Sequence, residues 1–143
     1  MKSKIYRCLH EDAVLIRTKV FMEEQGFKEE FDDIDPVGTH LVLYDGAVPA
    51  ACCRIFLSGD KCYSIGRIAV LREYRGQGIG RIIVQKAEQH IREAGGLKIT
   101  LSAQVRVKGF YQGLGYHCEG EVYMDEGCPH IKMEKSIVNL YKA

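Results

Sequence analysis

The sequence predicts an α/β domain with a mixed, mostly antiparallel sheet and helices on both faces. Three observations carry that prediction. Residues 39–71 hold three apolar segments broken only by Asp45-Gly46 and by "SGDK", the pattern of three consecutive antiparallel strands. The third segment runs directly into a glycine-rich turn, "REYRGQGIGR", and then into residues whose apolar positions recur with helical period. A second, shorter helical stripe and three more strand patterns complete the order β-α-(α)-β-β-β-α-β-α-β-β. The 143 residues suit one domain, 1–143, with no internal repeat, low-complexity tract or linker.

Each element has a local cause. "KIYRCL" alternates weakly and reads as a first strand. "HEDAVLIRTKVFMEE" has helical spacing at Val14, Ile16, Arg17, Val20 and Phe21. "QGFKEEFDDID" is acidic, interrupted by Gly26 and closed by Pro36, which suits a loop or a short second helix. "THLVLYDGAVPAACCRIFL" is a hairpin about Asp45-Gly46, with Pro49 near a strand start where a missing N–H is tolerated. "CYSIGRIAVL" is the next strand. Beyond the glycine turn, Ile79, Ile82, Ile83, Lys86, Ala87, His90 and Ile91 share one helical stripe, which Gly95-Gly96 ends. "LKITLSA" is a strand. Val107, Phe110, Tyr111 and Leu114 form the shorter stripe, with Gly115 just past its end. "YHCEGEVYM" and "HIKMEKSIV" are the closing strands, joined through "DEGCP".

Composition narrows the function. A net charge of +1 favours neither a nucleic-acid nor a membrane partner. No apolar run approaches the ~20 residues that cross a bilayer, and the N-terminus lacks the apolar core of a signal peptide. A cytoplasmic protein is expected. The six cysteines include no C-x-x-C pair, and Cys52 and Cys53 would point to opposite faces of a strand, so neither a metal cluster nor a disulfide framework is expected.

The glycine turn is the strongest chemical signal. A strand, a bare turn and a helix start make an anion site, because the first helical N–H groups lack internal partners and the helix dipole favours negative charge. Gly76, Gly78 and Gly80 let several N–H groups converge, and Arg72, Arg75 and Arg81 add charge-assisted bonds. A pyrophosphate is the natural guest. The turn is not a Walker A loop, for no Lys-Ser/Thr follows, and its G-x-G-x-G spacing is not the dinucleotide fingerprint G-x-G-x-x-G. A tight connection rich in glycine for steric reasons is the bland alternative.

"RIAVLREYRGQGIGRIIV" resembles motif A of the GNAT superfamily of acetyl-CoA-dependent N-acetyltransferases, with Arg75, Gly78 and Gly80 on the pattern (Gln/Arg)-x-x-Gly-x-(Gly/Ala). "FYQGLGY" resembles the family's later motif, a helix ending in "GY" before a strand. "VFMEEQ", "EFDDID" and Pro129-His130 further resemble the ElaA-like subgroup. The resemblance implies a sheet whose central strands splay apart. It implies that the N–H groups of Arg75, Gly76, Gln77, Gly78, Ile79, Gly80 and Arg81 hold the pyrophosphate of coenzyme A. It further implies that the backbone of Ile68, Ala69 and Val70 pairs with the pantetheine arm as an added strand. The Val70 N–H is then a candidate donor to the thioester carbonyl.

Acyl transfer from a thioester to an amine needs a deprotonated amine, a donor to the oxyanion and a proton for the thiolate. Tyr111 matches the family's general acid and borders the coenzyme, although its place on an apolar stripe equally suits core packing. Base candidates are Glu24, Glu30, Asp32, Asp35, His40 and His130; histidine is the side-chain type that titrates near working pH, which favours His130 in a substrate pocket, although His130 also suits a hydrogen-bonded loop histidine. A water relay is the other route the family offers. Residues 19–35 carry seven carboxylates, including Glu29, against two lysines. In the family this region walls the acceptor site, so Glu24, Glu30 and Asp32, with His130, are expected to meet a cationic amine; a solvated acidic face is the alternative. The expectation is an acetyl-CoA-dependent, metal-free N-acetyltransferase acting on a small-molecule or peptide amine, with a homodimer as one admissible state. A coenzyme-A-binding module without catalysis is the rival.

Overall fold

The computed structural model describes residues 1–28 and 30–137. Glu29 of the acidic run and Val138 of the last strand pattern lie outside the described residues. Among the described residues, seven strands, β1 (Lys2–Tyr6), β2 (Thr39–Asp45), β3 (Val48–Gly59), β4 (Cys62–Val70), β5 (Lys98–Gln104), β6 (His117–Asp125) and β7 (Cys128–Ser136), form a sheet of order β1-β2-β3-β4-β5-β7-β6. The helices are α1 (Glu11–Arg17), α2 (Ile79–Glu93) and α3 (Lys108–Gly113). The β4–β5 pair is parallel, whereas β1–β2, β2–β3, β5–β7 and β6–β7 are antiparallel. The chain forms two compact units, Met1–Phe56 with Ile65–His90, and Leu57–Ser64 with the chain from Ile91 onward.

In the first unit, α1 starts at His10, whose Nδ1 accepts the Asp12 N–H at 3.1 Å. Glu11 and Asp12 in the first turn and Arg17 in the last complement the helix dipole. Ala13, Ile16, Val20 and Phe21 follow the i, i+3, i+7, i+8 spacing and pack with Val42, Tyr44, Cys52, Ala69 and Leu71. Each large side chain among them contributes about 1.5–3 kcal/mol by leaving water. The single predicted helix is in fact two windings. After Arg17 it widens over Thr18–Glu24, ending with Gln25 N–H donating five residues back to the Val20 carbonyl at 3.3 Å. Phe27 N–H reaches the Phe21 carbonyl at 2.8 Å. Residues 25–38 then form a loop of turns, with no second helix among its described residues.

The hairpin between β2 and β3 turns through Gly46 at a φ of 60°. On α2 the buried face is Ile79, Ile83, Val84, Ala87, Glu88 and Ile91. That face is rotated from the expected stripe: Ile82 is exposed, and Val84 and Glu88 take the places given to Lys86 and His90.

In the second unit, Gly95, at a φ of 88°, closes α2. Gly96 N–H donates to the Ile91 carbonyl at 2.9 Å, and a Cβ at Gly96 would collide with Ile91 and Tyr63. The parallel register runs Cys62↔Lys98, Tyr63↔Ile99 and Ser64↔Thr100. The antiparallel register of β5 and β7 runs from Lys98↔Ser136 to Gln104↔His130. Gly115 ends α3 as expected, at a φ of 97°. Tyr111 is the buried member of the α3 stripe, whereas Val107 and Phe110 are exposed. Among the described residues no helix is long and apolar enough to cross a membrane.

Candidate active site

The glycine turn is shaped as an anion cradle. Gly76 and Gly78 have φ of 77° and 74°, the left-handed region that favours glycine, and a Cβ at either would meet nothing within 4 Å. The first bond of α2 runs from Ile82 N–H to the Gly78 carbonyl at 3.2 Å. The N–H groups of Ile79, Gly80 and Arg81 therefore have no carbonyl within the helix to meet. Ile79 is buried and anchors the turn, while Arg75, Gly76, Gln77, Gly78 and Arg81 are exposed. Gln77 Nε2 donates back to the Glu73 carbonyl at 3.3 Å. The open space, the left-handed glycines and the first N–H groups of α2, which have no partner within the helix, fit a phosphate group.

Arg75 already has partners. Its Nη1 and Nη2 donate to Glu24 Oε2 and Oε1, both at 2.9 Å, and its Nε donates to the Val70 carbonyl at 3.0 Å. Arg72 Nη2 approaches the same carboxylate at 3.4 Å. The hydrogen bond from Arg75 holds the Glu24 carboxyl below its ordinary pKa. The widened helix ends at Glu24, so that winding sets this carboxylate against the strand-to-helix turn. Glu24, read as an acceptor-side residue, thus contacts the predicted pyrophosphate arginine directly.

Glu30, Asp32 and Asp35 do not form a free negative wall, for each is paired with arginine. Glu30 is 3% exposed and pairs with Arg17 Nε at 2.8 Å and Arg67 Nε at 3.0 Å. Asp35 takes Arg17 Nη1 at 2.8 Å and Arg54 Nη1 at 3.0 Å. Asp32 takes Arg54 Nη1 at 2.7 Å and Arg67 Nη2 at 3.2 Å. Three carboxylates thus meet three arginines, and the cluster is neutral. Its Asp32 also caps its own loop, Oδ1 accepting the Ile34 N–H at 3.0 Å. Burial works against ionisation of Asp35, but the bonds from Arg17, the Asp32 N–H and Arg54 hold its carboxyl well below the usual range. Burial raises Glu30, against the pull of Arg17, Arg67 and Arg54. His40 is buried beside the cluster, its Nε2 donating to the Asp35 carbonyl at 2.9 Å, and burial lowers its pKa. The acidic residues could be read from sequence; their three arginines were missed. The signal was present, for Arg17 and Arg54 each interrupt an apolar run, and buried arginines require carboxylates.

In the second unit Tyr111 is 8% exposed, edge-on to Phe110 with ring centroids 5.0 Å apart and to Tyr116 at 6.1 Å. His130 is buried and stacks on Tyr123 at 6.0 Å. Its Nδ1 lies 2.8 Å from the Cys128 carbonyl. A carbonyl only accepts, so Nδ1 is the donor, and it is in the neutral ring that Nε2 holds the lone pair a proton acceptor needs. His117, Glu119 and Glu134 bring ligand atoms within 4.8 Å of one another, but Glu134 is engaged by Lys98 at 3.0 Å and Lys132 at 3.3 Å.

In the first unit, Ile68, Ala69 and Val70 close β4, directly before the turn. Arg67 immediately precedes them with a φ of 51°, a conformation uncommon for a residue other than glycine.

The profile of the acetyltransferase (GNAT) domain matches residues 10–137. YjcF of Bacillus subtilis strain 168, an uncharacterized N-acetyltransferase, is 34% identical over 128 residues, covering 87% of this chain and 91% of its own. Protein ElaA of Escherichia coli K12 is 29% identical over 129 residues, covering 86% and 84%. The crystal structure of ElaA superposes with a TM-score of 0.85 over 94% of this chain and 99% of its own, at 24% identity. A Bacillus subtilis acetyltransferase solved in complex with CoA shares the fold, with a TM-score of 0.73 over 96% and 99% at 13% identity. The match of residues 10–137 to that domain, with a relative 34% identical over 87% of the chain, shows that the chain belongs to the GNAT acetyltransferase family and is an acyltransferase.

Proposed function

We propose that this protein transfers an acetyl group from acetyl-CoA to a primary amine by direct attack in a ternary complex. The observation that carries the reading is the cradle of Gly76 and Gly78, left-handed and open, at the start of α2. The CoA complex of a fold relative supports the same ligand class. Acetyl-CoA supplies the activated acyl group. The N–H groups of residues 76–81 hold its phosphates, Arg75 adds a charge-assisted bond, and the backbone of Ile68, Ala69 and Val70 aligns its extended arm.

The roles of the side chains follow from the balance of the reaction. The amine nitrogen forms a bond to the acyl carbon and the carbon–sulfur bond breaks. The Val70 N–H donates to the acyl oxygen as charge develops there. Tyr111 gives its hydroxyl proton to the departing sulfur. The ordinary tyrosine pKa of about 10 lies above that of a thiol near 8.5, so the tyrosinate regains a proton from solvent, which receives the one the amine gives up, and the thiol keeps its own. The amine gives up a proton to His130 Nε2 or to water.

The test measures thiol release from acetyl-CoA across cationic amines, amino sugars and peptide amines, comparing wild type with Tyr111→Phe. Phenylalanine keeps the ring against Phe110 and Tyr116. We expect turnover with at least one amine class and a single-turnover rate roughly 10²–10⁴-fold lower in the variant, with acetyl-CoA affinity unchanged. No amine-dependent release, or a chemistry-limited Tyr111→Phe enzyme at the wild-type rate, would sink the corresponding half of the reading.

A further inference from the structure

The conformation of Arg67 is out of place. It lies within β4, and its φ of 51° is left-handed. Glycine takes that conformation freely, and Gly66 stands next door, yet Gly66 is not the residue that adopts it. A non-glycine residue held there implies that its surroundings over-determine it.

Those surroundings are visible. The Arg67 Nε lies 3.1 Å from the Glu30 carbonyl and 3.0 Å from Glu30 Oε2, and its Nη2 lies 3.2 Å from Asp32 Oδ2. The Arg67 carbonyl accepts from Cys52 Sγ on β3 at 3.8 Å. Glu30 and Asp32 are themselves fixed, Glu30 by Arg17 and Asp32 by Arg54. The side chain and the carbonyl of Arg67 are thus each held by neighbouring groups. The next three residues are Ile68, Ala69 and Val70.

We infer that Glu30 and Asp32 are positioning residues. Through the Arg67 side chain they lock β4 in a left-handed kink, and that kink sets where the backbone donors and acceptors of residues 68–70 point toward the acyl carrier. The inference rests on the proposed use of that strand by acetyl-CoA. It replaces the expectation that Glu30 and Asp32 bind a cationic amine: their charge is spent on arginine, and what they control is backbone geometry.

Alanine and glycine at position 67 separate the effects. Both remove the hold of Glu30 and Asp32 on the side chain, but only glycine adopts the kink without steric cost. Crystal structures of the ligand-free variants should show residue 67 left-handed in wild type and Arg67→Gly, and extended in Arg67→Ala. Calorimetric titration should show acetyl-CoA binding about 5–30-fold weaker in Arg67→Ala than in Arg67→Gly. Asp32→Asn gives an independent arm should Arg67→Ala fail to fold. It should weaken acetyl-CoA binding in the wild-type background and have no further effect on top of Arg67→Gly. A left-handed residue 67 in Arg67→Ala would overturn the clamp, as would equal losses from Asp32→Asn in both backgrounds. Equal weakness of the glycine and alanine variants would assign the Arg67 side chain to the ligand itself. Absence of acetyl-CoA binding by wild type would defeat the proposed function, and the crystallographic comparison would still decide the clamp.

Discussion

Replacing Gly78 by alanine separates strain from contact at the anion cradle. Gly78 has a φ of 74°, and its added methyl would meet no atom within 4 Å. The perturbation is therefore purely conformational, worth about 1–2 kcal/mol for a residue with a Cβ in the left-handed region. That free energy must appear somewhere. If the turn keeps its shape without ligand, the cost lowers stability, and acetyl-CoA affinity stays at the wild-type value. If the turn relaxes, stability is preserved, the N–H groups rotate away, and acetyl-CoA must restore them, which weakens binding by about 5–30-fold. Calorimetry of the free protein and titration with acetyl-CoA together measure the sum. Gly95→Ala is the control, because Gly95 has a φ of 88° and equally open surroundings at the far end of α2. It should lose stability and keep its affinity. The reasoning fails if Gly78→Ala changes neither quantity, or if Gly95→Ala loses as much acetyl-CoA affinity as Gly78→Ala.

Two further outcomes follow from the electrostatics. Glu24→Gln removes the carboxylate that occupies Arg75, so acetyl-CoA should bind about two- to fivefold more tightly, the scale of a partly exposed ion pair; weaker binding would make Glu24 a support for the ligand instead. His40 has its pKa lowered by burial, so the folded state holds it neutral below the pH at which the unfolded chain protonates it. Its contribution is complete above the unfolded value of about 6.5 and is lost as pH falls from there toward the folded value. Urea unfolding between pH 7.5 and 5 should therefore show declining stability that His40→Gln flattens, and an unchanged slope in the variant would remove His40 from that account.

What the sequence revealed was what local physics controls. The Asp45-Gly46 signal, the Gly115 helix end and the cradle glycines each answer to steric rules that operate within a few residues, and all three lie at or beside the turns where they were expected. The stripe on α2 was misplaced by part of a turn because Ile82 and Val84 are equally apolar in sequence, and only packing decides between them. The widening at Thr18–Glu24 had no local cause to read, since nothing in its composition distinguishes it from an ordinary helix.

The acidic run shows the deeper limit. Its composition is the same whether the carboxylates face solvent, an amine or arginines from distant segments. Burial settles the choice energetically. A carboxylate as buried as Glu30 is strongly disfavoured without a partner, so the fold must either protonate it or bring cations to it. Arg17, Arg54 and Arg67 come from α1, β3 and β4 to do so. Removing one partner leaves a buried charge uncompensated, whereas moving the whole cluster apart would expose three. The cluster therefore couples the acidic loop to the strands on either side of it as a unit. A kink in β4 that is costly for arginine alone becomes sustainable because it is fixed by that unit, and the residues that carry no free charge are the ones that set the geometry of the strand beside the cradle.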